Sequence, residues 1–249
     1  MSEKIQKVLA NAGIASRRQI ETWIKDGRIT LNGRIATIGD RMTYHDRVSV
    51  DNREIKLVKS QQQNCRVLLY HKPEGELCTR DDPEGRPTIF QSLPMIRNSR
   101  WVSVGRLDYN TAGLLLLTND GGLANRLMHP RSEFEREYAV RIRGDVSADV
   151  LRRLLTGVRL EDGMAHFESI IEAGGIKTNH WYHVVVKEGR NRLVRRLWEA
   201  VGFTVSRLMR IRFGPVQLPT NLRRGNYVEL TPEEIEELGY LLRNQDNFK

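Results

Sequence analysis

The run Gly105-Arg106-Leu107-Asp108-Tyr109-Asn110-Thr111-Ala112-Gly113 sets one carboxylate between two apolar stretches, Trp101–Val104 and Leu114–Leu117. The pattern reads as strand, polar turn, strand. Asp108 then lies at the mouth of a strand pair, next to the cation Arg106 and the small residues Thr111, Ala112 and Gly113. A carboxylate partly withdrawn from water, with a cation nearby, is tuned for chemistry. Aspartate also occurs in turns for local reasons alone, because its side chain bonds nearby amides. Spacing leaves both readings open.

A second group of chemically suggestive residues lies downstream. Glu188-Gly189-Arg190-Asn191-Arg192-Leu193-Val194-Arg195-Arg196-Leu197-Trp198 reads as a turn entering a helix. Leu193, Val194, Leu197, Trp198 and Val201 form its apolar stripe, which leaves Arg192, Arg195 and Arg196 elsewhere on its surface. On the strand expected over Thr204–Phe213, strict alternation puts Val205, Arg207, Met209, Ile211 and Phe213 on one face. Ser206, Leu208, Arg210 and Arg212 take the other. Leu208 among arginines suits a surface that packs a nucleobase while cations hold phosphates.

The 249 residues carry a net charge of +9, from 40 basic and 31 acidic side chains. Residues 1–58 hold 11 basic and 7 acidic residues, and residues 187–212 hold 8 basic and 2 acidic. The remainder is close to neutral, so the excess forms two footprints for a polyanion. No basic amphipathic helix with a broad aromatic face accompanies them, which favours nucleic acid over a membrane surface. No apolar run approaches a membrane span, and the first residues lack the core of a secretory leader. Cys65 and Cys78 have no metal-ligand spacing. A cytoplasmic protein without metal or cofactor is expected, since no glycine-rich phosphate loop occurs either.

These residues need elements to position them. Residues 3–12 carry Ile5, Val8, Leu9 and Ala12 at helical spacing with Ser2 as a candidate cap. A second helix begins at Ser16-Arg17-Arg18-Gln19. Arg17 and Arg18 in its first turn oppose the helix dipole, which suggests that they serve something external. Ile29–Leu31, Asn32-Gly33 and Arg34–Ala36 form a hairpin with a primed turn. The expected division is a first domain over 1–58, a linker over 59–65 and a second domain over 66–249. In the second, Arg66–Tyr70, Arg136–Gly144 and Trp181–Lys187 read as strands separated by turns with few helices. That argues for an α+β fold on a mostly antiparallel sheet.

Two small helices and a hairpin with arginines at the second helix start resemble the S4 RNA-binding domain. Gly-Arg-Leu-Asp at 105–108, Arg136-Glu137-Tyr138 and Glu-Gly-Arg-Asn-Arg at 188–192 leading to Arg195 together resemble the pseudouridine synthases. They match best the branch that carries an S4 domain and modifies ribosomal RNA. The resemblance implies that Asp108 is the nucleophile, attacking uridine at ribose C1′ or base C6. Tyr138 would stack on the base and help remove the C5 proton, and Arg195 would pair with Asp108. Leu208 would line the base pocket, with Arg106, Arg190, Arg192, Arg17 and Arg18 contacting RNA.

Residues 72–87 resemble the large-subunit members of that branch, which implies 23S large-subunit RNA as the target, free or in a ribosome assembly intermediate; a monomer is expected. The alternatives are the same chemistry on 16S or transfer RNA, or a non-catalytic assembly factor that keeps the fold.

Overall fold

The structure is a computed structural model that describes residues 2–57, 64–96, 99–176 and 178–247, with side chains through 242 in the last segment. Of the expected linker, residues 59–63 lie outside the described residues. The chain divides into two compact units. One comprises residues 1–65, 94–102 and 119–121, and the other residues 66–93, 103–118 and 122–249.

In the first unit, helices α1 (Ile5–Asn11) and α2 (Arg17–Lys25) cover a four-stranded sheet. Its strands are β1 (Ile29–Leu31), β2 (Arg34–Ile35), β3 (Val48–Val50) and β4 (Arg53–Ile55), in the order β2-β1-β3-β4. Asn32 and Gly33 both have positive φ, 51° and 85°, as the primed turn requires. Asp51 and Asn52 repeat that geometry between β3 and β4. Ile5, Leu9, Ile20, Ile24, Ile29 and Val48 close the core. The first helix is shorter than its periodicity suggested. Glu3 and Lys4 pair as a strand with Met42 and Arg41, and the helix starts after Lys4 without a side-chain cap. Ser16 does cap α2, accepting from the Gln19 amide at 3.1 Å.

The second unit is built on β5 (Val67–Lys72), β6 (Ala112–Thr118), β7 (Arg136–Arg143), β10 (Ser169–Ile176), β11 (Asn179–Val186), β12 (Val205–Phe213) and β14 (Tyr227–Glu229). They run β10-β11-β7-β12-β6-β5-β14 across one sheet. Every neighbouring pair on that path is antiparallel except β12 and β6. A hairpin of β8 (Val158–Leu160) and β9 (Gly163–Ala165) stands apart, and β13 (Val216–Gln217) pairs with β12. Leu114 to Leu117 are fully buried, so the central strand is apolar on both faces. Helices α3 (Gly121–Met128), α4 (Ala148–Thr156), α5 (Leu193–Glu199) and α6 (Pro232–Asn247) complete the fold.

Strict alternation fails on β12, for a local reason. Arg210 opposes Tyr138 and Arg212 opposes Glu137, so Ile211 is an extra residue. Arg207 opposes Arg141 and Val205 opposes Ile142, so Ser206 is another. Each bulge reverses the phase of the residues beyond it. Val205 and Phe213 therefore join Leu208 and Arg210 on the face shared with Tyr138, Val140 and Ile142. Arg212 passes to the opposite face, where it donates to Glu137 at 2.8 Å and Glu135 at 3.1 Å.

The parallel junction of β6 and β12 is unusually close. It pairs Met209 with Ala112 and Arg210 with Gly113. A Cβ on Gly113 would stand 2.2 Å from the Arg210 carbonyl oxygen, and Gly113 has φ +108°. No L side chain fits there. Gly113→Ala is expected to destabilise the protein by roughly 2–3 kcal/mol, read as a lowered urea midpoint with unchanged slope.

Candidate active site

The loop that connects to β6 owes its shape to its backbone carbonyls. Those of Leu107, Asp108, Tyr109, Asn110 and Thr111 all accept hydrogen bonds, from five donor groups. The Cys78 thiol reaches Leu107 O at 3.4 Å. Lys72 Nζ donates to Asp108 O at 3.1 Å and to Thr111 O at 3.0 Å, with a third bond to Pro73 O at 2.9 Å. The Thr111 amide also reaches Asp108 O at 3.0 Å, and the Gly75 amide reaches Tyr109 O at 2.8 Å. Arg195 Nη2 donates to Asn110 O at 2.9 Å.

Lys72 is fully buried at the end of β5, where burial pushes its ammonium below the usual lysine range. Negative charge on Glu76 and Asp108 opposes that shift. In the sequence, Lys72 counted only within residues 72–87, which bear on the RNA target. A lysine closing a strand that opens on Val67-Leu68-Leu69 was the available signal.

With its backbone held, Asp108 lines a cavity of about 460 Å³. Arg106, Tyr138, Arg190, Arg192 and Leu208 line the same space. So do Arg210, which the sequence sets beside Leu208, and Arg136, Phe213 and Met128, which sequence reasoning did not place in the site. β7 and β12 supply one wall, and the turn entering α5 supplies another. At that turn Arg192 adopts a left-handed conformation, φ +50°, uncommon for a long side chain. Arg106 is exposed and Leu208 is buried.

Arg195 departs from its expected place on the surface of α5. It is 5% exposed, and its second terminal nitrogen donates to Val205 O at 3.0 Å. Among the described residues it forms no ion pair with Asp108. It secures the neighbouring Asn110 carbonyl instead. Burial lowers the Arg195 pKa and Arg192 adds to this, while the Asp108 charge acts in the other direction.

Arg190 and Arg196 converge on Asp162, at the tip of the β8–β9 hairpin. Arg196 grips it through both carboxylate oxygens, at 2.8 and 2.9 Å, and Arg190 approaches at 3.1 Å. The Arg196 hydrogen bond is the main cause of the lowered Asp162 pKa. Arg190 also donates to Met164 O at 2.7 Å and to Glu188 at 3.1 Å, so its donors are largely committed within the protein. Arg17 and Arg18 belong to the first unit and are exposed in the first turn of α2.

His180 faces Asp145 at 3.1 Å and Glu172 at 3.5 Å, and His183 faces Glu137 at 3.2 Å. Among the described residues, no group of three or more His, Cys, Asp or Glu side chains is arranged to hold a metal.

The sequence and fold of this chain have counterparts among known proteins. Residues 66–200 match the family described as RNA pseudouridylate synthase, and residues 3–48 match the S4 domain. The chain belongs to the RNA pseudouridylate synthase family. It is 57% identical over 237 residues to ribosomal large subunit pseudouridine synthase B of Pseudomonas aeruginosa, which covers 95% of this chain and 61% of that protein. It is 59% identical over 232 residues to the protein of the same name from Salmonella typhi, with 92% and 80% covered. A crystal structure of a pseudouridylate synthase superposes with TM-score 0.66 at 27% identity, covering 94% of this chain and 99% of the other.

The Lys72 contacts carry a prediction about the loop. Lys72→Met leaves the Asp108, Thr111 and Pro73 carbonyls without that donor and is expected to cost about 1–3 kcal/mol of stability. The accompanying sign is faster amide hydrogen exchange at Thr111, measured by NMR.

Proposed function

We propose that this protein isomerises a uridine of 23S large-subunit ribosomal RNA to pseudouridine, with Asp108 as the nucleophile. The observation that carries this reading is the shared cavity of Asp108, Tyr138 and Leu208. It presents a carboxylate, an aromatic ring and an apolar wall to one base-sized space. The large-subunit target rests on the two relatives above, whose names specify that subunit.

Attack by the Asp108 carboxylate at ribose C1′ or at base C6 leads to cleavage of the C1′–N1 bond. The freed base turns and its C5 bonds to C1′. On the C1′ route this displaces the Asp108 carboxylate, and on the C6 route the carboxylate leaves C6 as C5=C6 reforms; in both the C5 proton is removed and N1 gains one. Tyr138 stacks on the base and assists at the C5 proton. Leu208 packs against the ring. Arg195 acts through Asn110 by fixing the turn. Arg106 and Arg192 are suited to phosphate contact because both are exposed at the cavity.

A uridine must leave its stack to enter such a cavity, which supports a looped or still-unfolded RNA in a ribosome assembly intermediate. The protein is proposed to act as a monomer. Ribosomal RNA as substrate supports a cytoplasmic place of action.

Asp108→Asn is expected to abolish pseudouridine formation while RNA affinity stays close to wild type. Chemical mapping of pseudouridine in total ribosomal RNA, with active protein and with the variant, tests this. Retained conversion by the variant overturns Asp108 as the nucleophile.

The first unit is proposed to grip RNA phosphates through Arg17 and Arg18. Arg17→Ala with Arg18→Ala is expected to weaken binding and to reduce the slope of log K against log salt by roughly one to two. An unchanged slope removes these arginines from the interface.

A further inference from the structure

Two cations beside the Asp108 cavity lack the anions that buried arginines ordinarily have. Arg210 is 2% exposed on β12, and Arg136 lies on the same face of the adjoining strand β7. Both guanidinium groups sit against the ring of Phe213, at 5.2 Å from its centroid for Arg136 and 5.4 Å for Arg210. Among the described residues, neither forms an ion pair.

Arg136 donates to the carbonyls of Phe134 at 2.9 Å and Lys187 at 2.5 Å, and Arg210 Nε donates to Leu114 O at 2.8 Å. Carbonyl oxygens orient a guanidinium but do not neutralise it. One terminal nitrogen of Arg210 has no hydrogen-bond partner. Burial depresses the Arg136 pKa and the nearby Arg210 charge lowers it further, so the two cations repel each other. Arg212, two residues along the strand from Arg210, marks the contrast. Turned to the opposite face by the bulge at Ile211, it is paired with Glu135 and Glu137.

We infer that Arg136 and Arg210 form a cationic cradle for negative charge that develops on the carbonyl oxygens of the target uracil during the isomerisation. The inference rests on the proposed function and adds two catalytic residues to it. Charge reaches those oxygens by either route of attack. Addition of the carboxylate to C6 sends the C5=C6 electron pair through C4 onto O4. Attack at C1′ expels the base with the C1′–N1 electron pair, which spreads from N1 onto O2 and O4.

In both cases the negative charge is transient and must be stabilised while C5 is brought to C1′. Two guanidinium groups on the wall that also carries Tyr138 and Leu208 supply donors as the ring turns. Donors preset for developing charge in a dry site stabilise the transition state more than the ground state. An uncharged uracil needs no paired cations. A uracil anion does.

The test uses the full-length protein and RNA with a single target uridine. Arg210→Lys keeps a charge but loses the planar fork; it is expected to lower kcat about 10²-fold with KM little changed. Arg136→Lys is expected to act in the same direction. Replacing O4 of the target by sulfur supplies a measurement that needs no folded variant. Wild-type protein is expected to convert the 4-thiouridine substrate more slowly, because sulfur is a poor acceptor, and Arg210→Lys is expected to narrow that discrimination.

If both lysine variants fold, as judged by circular dichroism, and keep wild-type kcat, the cradle is overturned. Equal conversion of both substrates by wild-type protein overturns contact at O4, and the 2-thiouridine substrate then decides whether O2 takes its place. Equal conversion of that substrate too overturns the cradle. Failure of wild-type protein to make any pseudouridine falls on the proposed function instead.

Discussion

The site depends on holding a short turn by its carbonyl oxygens. Five consecutive carbonyls, from Leu107 to Thr111, accept hydrogen bonds, and the donors come from β5, the segment after it, the loop itself and α5. A loop so bound loses the freedom that an exposed connection ordinarily keeps. The carboxylate of Asp108 is then directed by backbone rather than by a side-chain partner. The strongest donor is an ammonium that burial alone would disfavour. Three carbonyl acceptors offset that cost, and the nearby acidic groups act in the same direction.

The same logic links the loop to the sheet. Thr111 leads directly into Ala112 and Gly113, where β6 meets β12 in parallel. That junction fixes how far Asp108 stands from Leu208 and Arg210, because the backbones touch with no side chain between them. A glycine in mid-strand ordinarily weakens a strand. At this position it sets a distance. The bulges at Ser206 and Ile211 then choose which side chains of β12 face the cavity, bringing Leu208, Arg210 and Phe213 together and turning Arg212 away.

Much of this was legible in the residues. The Asn32-Gly33 hairpin, the cap at Ser16, the mostly antiparallel sheet and the placing of Asp108 in a turn between strands follow from local chemistry, which sequence carries directly. The misjudged features are those that local pattern does not encode. Arg195 reads as a surface residue because its neighbours make the apolar stripe, yet two carbonyls from distant segments give it a buried place. Lys72 follows His71 at the end of a mostly apolar strand. Only the fold brings its three acceptors into reach. Glu3 and Lys4 continue a helical period but meet Arg41 and Met42 as a strand, since pairing across the sequence outweighs a weak propensity.

The phase of β12 was the most consequential error, because alternation is a rule about uninterrupted pairing. An inserted residue costs one ladder contact and exchanges the faces of everything beyond it. Two bulges in one strand leave Leu208 and Arg210 on a common face while reassigning both ends. No single-strand pattern reports this, because the signal lies in the register against β7. The consequence is electrostatic. With Ile211 paired normally, Arg212 would stay on the cavity face beside Arg210, away from Glu137, and Phe213 would leave it. The bulge sends one arginine to its carboxylates and leaves Phe213 against the guanidinium groups of the other two, neither of which forms an ion pair among the described residues.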